Sequence, residues 1–279
     1  MTLTVLLAVL AAALMHAGWN AAIKTGANKQ TGMFILSVGH ASIGLALTLG
    51  RGVYPTPEVW PWLIASAVIH MGYQMFLSFA YDSGDLSRVY PLSRGTAPMA
   101  VLLVTAVLGI DAMTLTEVLG CLVLGLGILT MARGVFSSGE SRKMLPFAFG
   151  AACATAGYTL VDGLGARVAG DPLAFVGWLM IGSALAYTPA IVAMRGVGVM
   201  RAEPRVWGFG LVAAAASFGA YAIAVWAMTV APLALVAALR ETSILFAILI
   251  GWLLFGERMD RGKALAAGLI VAGVVLTRV

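Results

Sequence analysis

Two full charges, Arg240 and Glu241, stand side by side inside the run "LALVAALRETSILFAILIGWLLFGER", Leu233 to Arg258, which is otherwise almost wholly apolar. An ionisable side chain at the centre of a membrane helix costs about 2.5–3.5 kcal/mol, so it persists where it meets a partner, a solute or a wet cavity. The pattern recurs along the chain. His16, Trp19 and Asn20 follow i, i+3, i+4 spacing, as do His70, Tyr73 and Gln74, with Tyr81 further along the same face. Arg88, Tyr90, Pro91, Arg94 and Pro98 share a third apolar run; Tyr158 and Asp162 are four apart in another; Tyr221 and Trp226 lie in a fifth.

The chemistry these types support is binding. Arginines hold a carboxylate, phosphate or phosphonate, while Tyr, Gln, His and Trp exchange hydrogen bonds and offer apolar surface, as a small-molecule cavity requires. The expected substrate-binding residues are His16, Trp19, Asn20, His70, Tyr73, Gln74, Arg94, Tyr158, Tyr221 and Arg240. Glu241 and Asp162 are expected in coupling or gating, with protons as one candidate ion and His16 as a further carrier. Pro91 and Pro98 remove N–H groups and should bend or open their helix, aiming Arg94 at the bend. Structural readings stand beside these. The His16 stripe could be a helix–helix hydrogen bond, the His70 face aromatic packing, Asp162 an interfacial carboxylate, and the Arg240–Glu241 pair a static clamp. Catalysis has little support: no H-E-x-x-H or G-x-S-x-G motif occurs, the three histidines fall in three different runs, and no P-loop is present. No cofactor is called for, and neither Cys121 nor Cys153 has metal or redox spacing.

The elements that must position these groups follow from composition. Of 279 residues, 61% are hydrophobic and 10% charged; a soluble domain needs about 25% charged residues, so this surface faces lipid. Apolar runs and breakers predict ten spans: Leu3–Ile23, Thr31–Leu49, Val59–Tyr81, Val89–Ile110, Thr116–Ala132, Leu145–Ala166, Leu173–Met194, Val206–Thr229, Leu233–Phe255 and Gly262–Thr277. Backbone groups in lipid must be satisfied internally, so the spans read as helices. The start, "MTLTVLLAVL", lacks a basic n-region and reads as a retained helix. The net charge of +5 is spread over connections, without a nucleic-acid-binding run.

The chain also repeats itself. Laying Gly72 on Gly219 aligns "GYQMFLSFAYDSGDLSRVYPLSRGTAPMAVLL" with "GAYAIAVWAMTVAPLALVAALRETSILFAILI" without a gap, and carries Gly109 onto Gly256. "AGWN" at Ala17 matches "AGYT" at Ala156. Residues 1–138 and 139–279 then form two five-helix repeats. Five is odd, so the second enters the membrane inverted, the arrangement of many secondary transporters with a site at the midplane. Under this alignment Glu241 overlies Arg94, and the two are expected to approach across the pseudo-twofold axis, leaving Arg240 to face substrate or Asp162. Odd-numbered connections hold most of the Lys and Arg, even-numbered ones only Arg51 and Arg167; the positive-inside rule puts the termini outside.

"MHAGWNAAIK", "LLFGERMDRGKALAAGLIVAGVVLT" and the five-plus-five duplication resemble the EamA family of the drug/metabolite transporter superfamily. The "GE" after the ninth span carries much of the likeness; the first half departs from it with "GID" at Gly109–Asp111. The resemblance implies a ten-helix all-α basket, a cavity lined by helices 1, 3, 4, 6, 8 and 9, alternating access, and cytoplasmic termini, against the charge count. The expectation is a secondary transporter of a small polar, zwitterionic or anionic metabolite, amino-acid-like, exported across a bacterial inner membrane. The alternative is a lipid translocase or a membrane assembly subunit without transport of its own. Nothing in the sequence fixes an oligomeric state.

Overall fold

The computed structural model describes residues 1–23, 29–83, 96–137, 145–256 and 258–279. Among them no strand occurs. The helices are α1 (Leu3–Ile23), α2 (Lys29–Arg51), α3 (Trp60–Ser83), α4 (Ala97–Leu108), α5 (Leu115–Ser137), α6 (Leu145–Ala169), α7 (Pro172–Arg195), α8 (Pro204–Val230), α9 (Leu233–Arg240), α10 (Ser243–Phe255) and α11 (Arg261–Leu276), with a short 3-10 turn at Val197–Met200. Among the described residues, five helical stretches are long and apolar enough to cross a bilayer: Leu3–Asn20, Gln30–Arg51, Pro172–Arg195, Pro204–Val230 and Leu233–Leu253. Large apolar side chains such as Leu7, Leu103, Val107, Leu185, Val212 and Leu253 project outward, as lipid contact demands.

Helix ends follow local chemistry. Thr114 and Glu117 form a capping box: each side chain accepts from the other's backbone N–H, at 3.2 and 3.0 Å. Asp171 caps α7 through the N–H groups of Leu173 and Ala174, and Asp260 caps α11 through Lys263. Gly109 and Gly256 close α4 and α10 with φ of 62° and 64°, the left-handed conformation that glycine takes without a Cβ clash.

Two sequence expectations need correction here. The ninth span is not one helix. Glu241 N–H donates to Ala238 O, Thr242 N–H to Leu239 O and Ile244 N–H to Glu241 O, three-residue bonds that replace the α ladder and end α9 at Arg240. Pro98 does not bend a helix interior either. It occupies the first turn of α4, where a missing N–H leaves no carbonyl unpaired. Pro91 and Arg94, with Arg88 and Tyr90, lie outside the described residues, as does the Glu257 of the "GE" pair.

The helices pair chiefly as α1 with α8, α2 with α7, α3 with α6, α4 with α9, and α5 with α11. α9 is central: Leu233 through Leu239 are all buried, because a helix apolar on every side loses least when surrounded by protein. α5 and α11 touch backbone to backbone. A Cβ on Gly273 would stand 2.7 Å from Leu124 N and 2.8 Å from Gly120 O, the close approach that small residues permit in membranes.

Candidate functional site: a buried carboxylate at mid-membrane depth

Asp162, on α6, has no exposed surface. Its Oδ2 accepts from His70 Nε2 of α3 at 2.9 Å and from the Tyr221 hydroxyl of α8. The Tyr221 oxygen also lies 3.4 Å from His70 Nε2. Aromatic rings close the group: Tyr158 stacks on His70 with centroids 4.3 Å apart, and Tyr73 meets Tyr158 edge-on at 5.4 Å. On the far side, Arg240 Cζ sits 5.1 Å from the Tyr221 ring centroid, a cation–π contact.

The depth of this cluster follows from the helix ends. The Arg167 guanidinium, at the end of α6, pairs with Asp111 Oδ1 at 2.9 Å and donates to Met228 O and Ala231 O at 2.9 and 3.2 Å. Asp111 Oδ2 in turn accepts from Leu233 N–H at 2.7 Å. This network gathers the ends of α6 and α8 and the start of α9 at one face. At the same face Arg51 pairs with Asp171 at 2.8 Å, Trp178 Nε1 donates to Val53 O at 2.9 Å, and Trp60 meets Trp178 at 6.5 Å. At 1.5 Å per residue, His70 lies ~15 Å, Asp162 ~10 Å, Tyr221 ~14 Å and Arg240 ~10 Å from their helix ends there. All four thus stand ~10–15 Å in from that face, a distance comparable to half of a 30 Å hydrocarbon core.

Beside Arg240 is a small cavity lined by Pro98, Val101, Thr155, Thr159, Ala237 and Glu241 among others, about 10 Å³ and so room for about one water. Thr155 and Thr159 turn their hydroxyls to the carbonyls four residues back, at 2.8 and 2.7 Å. Glu241 is buried, 3% exposed. The carbonyls of Ala237 and Arg240, which would accept in a continuous ladder, fall at this helix break.

Of the residues expected to bind or couple, the structure brings together His70, Tyr73, Tyr158, Asp162, Tyr221 and Arg240, with Pro98 and Glu241 at the adjoining cavity. Asp162 is no interfacial carboxylate, and Arg240 reaches it only by way of Tyr221. Gln74 turns to α7, donating to Ser183 Oγ at 3.2 Å. His16 and Trp19 meet each other edge-on at 5.1 Å, and Asn20 donates to the His16 carbonyl at 2.8 Å; Trp19 packs toward Leu36, Ala213 and Ala214. Trp226 is 37% exposed, on the outer surface. His40 meets Phe218 edge-on at 6.4 Å.

The Asp111–Arg167 network escaped the sequence reading. Its signal was available: the two basic residues of the even-numbered connections, Arg51 and Arg167, each find an acidic partner, and Asp111 stands one residue past the position that aligns with Glu257 of the second half.

A crystal structure of a protein 18% identical to this chain superposes with a TM-score of 0.78, covering 99% of this chain and 96% of the other. At that identity the likeness concerns the fold alone. No curated protein matches the chain in sequence. The profile of the EamA-like transporter family matches residues 142–279. Apolar helices and this match make the chain a multi-pass membrane protein, and through its second half it belongs to the EamA-like transporter family, within the drug/metabolite transporter superfamily.

Proposed function

We propose that the protein is a secondary transporter that moves a small polar, zwitterionic or anionic metabolite, amino-acid-like, outward across the bacterial inner membrane by alternating access. The observation that carries this reading is the convergence of His70, Asp162, Tyr221 and Arg240 at one mid-membrane level, from α3, α6, α8 and α9. Ionisable groups buried at that depth are retained where they serve a solute or ion path.

The ten-span, inverted five-plus-five arrangement is part of the proposal, with residues 1–138 and 139–279 as the repeats and α9 and α10 as one interrupted ninth span. The helix pairing supports it. Exchanging each span for the one five places on turns the α1–α8 pair into α6–α3 and leaves α2–α7, α4–α9 and α5–α11 unchanged. Gly109 and Gly256, equivalent in the repeat, cap their helices in the same left-handed conformation. Interrupted helices at the midplane are a recurrent transporter device, since freed backbone carbonyls and helix ends can hold a solute.

In this reading Arg240 takes the acidic group of the substrate, while Tyr73, Tyr158 and Tyr221 hold its remainder. Arg94 and Pro91 remain expectations for the same cavity, and His16, Trp19, Asn20 and Gln74 for its flanks. Asp162 and Glu241 carry coupling, with protons as the candidate ion. The Asp111–Arg167 and Arg51–Asp171 pairs close one face. Flux measurements in liposomes with amino acids and phosphorylated compounds test the proposal. Saturable uptake or counterflow of a soluble solute is expected; activity confined to a lipid would overturn it.

A further inference from the structure

We infer that Asp162 Oδ1 receives the protonated amino group of the substrate, so that the protein selects ammonium-bearing solutes over their deaminated analogues. This rests on the transport reading for its location and adds the charge that the substrate must carry.

The carboxylate is unevenly served. Oδ2 accepts two hydrogen bonds, from His70 and Tyr221, while Oδ1 is buried and has no partner among the described residues. A buried carboxylate oxygen without a donor keeps its desolvation cost uncompensated. The basic side chain at hand, His70, is spent on Oδ2 at 2.9 Å, and Arg240 lies over the Tyr221 ring, so neither serves Oδ1. The neighbours that are present suit an ammonium group. The rings of Tyr158, Tyr73, Tyr221 and His70 pack on one another at 4.3–6.2 Å, with His70 and Tyr221 on the carboxylate itself, and aromatic faces attract cations in a desolvated setting. An ammonium at Oδ1 supplies the missing donor as a charge-assisted hydrogen bond, stronger than the neutral one a hydroxyl would give.

The placement of Arg240 sharpens the inference. Tyr221 lies between the two charges, its hydroxyl on Asp162 and its ring face under the guanidinium. A zwitterion has a pole for each. A purely anionic solute would leave Oδ1 of Asp162 without a donor.

The test uses the full chain in detergent and in liposomes. The probes are the common α-amino acids and simple primary amines, each paired with the analogue in which hydroxyl replaces the amine. Thermal stabilisation reads binding; counterflow reads transport. We expect the ammonium member of a pair to bind at least tenfold more tightly, as loss of a charge-assisted hydrogen bond implies, and Asp162→Asn to erase that preference. Equal binding or flux of both members by the wild-type protein overturns the inference and leaves the transport reading standing; this arm needs no variant to fold. Amine binding erased by Asp162→Asn, without flux of any solute, upholds the inference and removes transport. An Asp162→Asn protein that keeps the amine preference and loses only pH dependence makes Asp162 a proton carrier and overturns the inference. Binding of neither member overturns both.

Discussion

His70 and Asp162, 92 residues apart in sequence, meet at 2.9 Å in the interior of the bundle. They come from α3 and α6, one in each half of the chain; Asp162 is fully buried and His70 nearly so. A hydrogen bond between two buried ionisable groups ties the halves together, in the proposed reading at the level a solute would pass. It also links any change at the site to the relative position of α3 and α6.

Arg240 adjoins this cluster from α9, over the Tyr221 ring. Arg240→Ala should lower solute flux by at least tenfold while costing the fold only about 0.5–2 kcal/mol, the range of a cation–π contact. Paired flux and thermal-melting measurements check this. A large melting loss with proportionate flux would make the residue a structural clamp.

The face network has a different signature. Arg167→Gln removes a pair to Asp111 and two bonds to helix-end carbonyls. Because the Arg167 side chain is 28% exposed, the pair itself is worth no more than about 1–2 kcal/mol. The expected results are a modest drop in melting temperature and faster modification of a cysteine at position 221 from that face. A double-mutant cycle with Asp111→Asn isolates the pair, and a coupling near zero would show that the carbonyl bonds carry the effect.

Gly273→Ala should be severe, since the new methyl meets Leu124 N and Gly120 O inside van der Waals range. Gly268→Ala on the same helix meets nothing within 4 Å and should be neutral or stabilising, as alanine favours a helix by about 1 kcal/mol. Melting of the two variants in detergent separates close packing from helix propensity.

The proposed ten-span arrangement puts Arg51 and Arg167 on one side of the membrane and Arg195 on the other. Single cysteines at these positions should react with an impermeant reagent in two groups, the first two together. Labelling of Arg195→Cys from the same side as Arg51→Cys would end the inverted arrangement.

Much of this was legible in the sequence because lipid makes polar residues conspicuous. A histidine, an aspartate and a tyrosine stood out in apolar runs, and all three meet. The helix bounds were readable for α1 and for the start of α6, where breakers flank the run. The interruption after Arg240 was not readable as a break. "RETS" contains neither Gly nor Pro, and the switch to three-residue hydrogen bonds depends on burial of Glu241 and Thr242 among other helices. The preference of Gln74 for Ser183, and of Arg240 for the face of Tyr221, depends on helix rotation, which pattern alone leaves open. The Asp111 network was hidden because charges at helix ends look like ordinary interfacial residues until their partners are known.

The most direct test of the central claim is counterflow of amino-acid-like solutes in liposomes, comparing wild-type protein with Arg240→Ala and His70→Ala at matched folded amounts. The account expects saturable flux in the wild type and a loss of tenfold or more in both variants. Undiminished flux in both variants, or no flux of any soluble solute in the wild type, would contradict it.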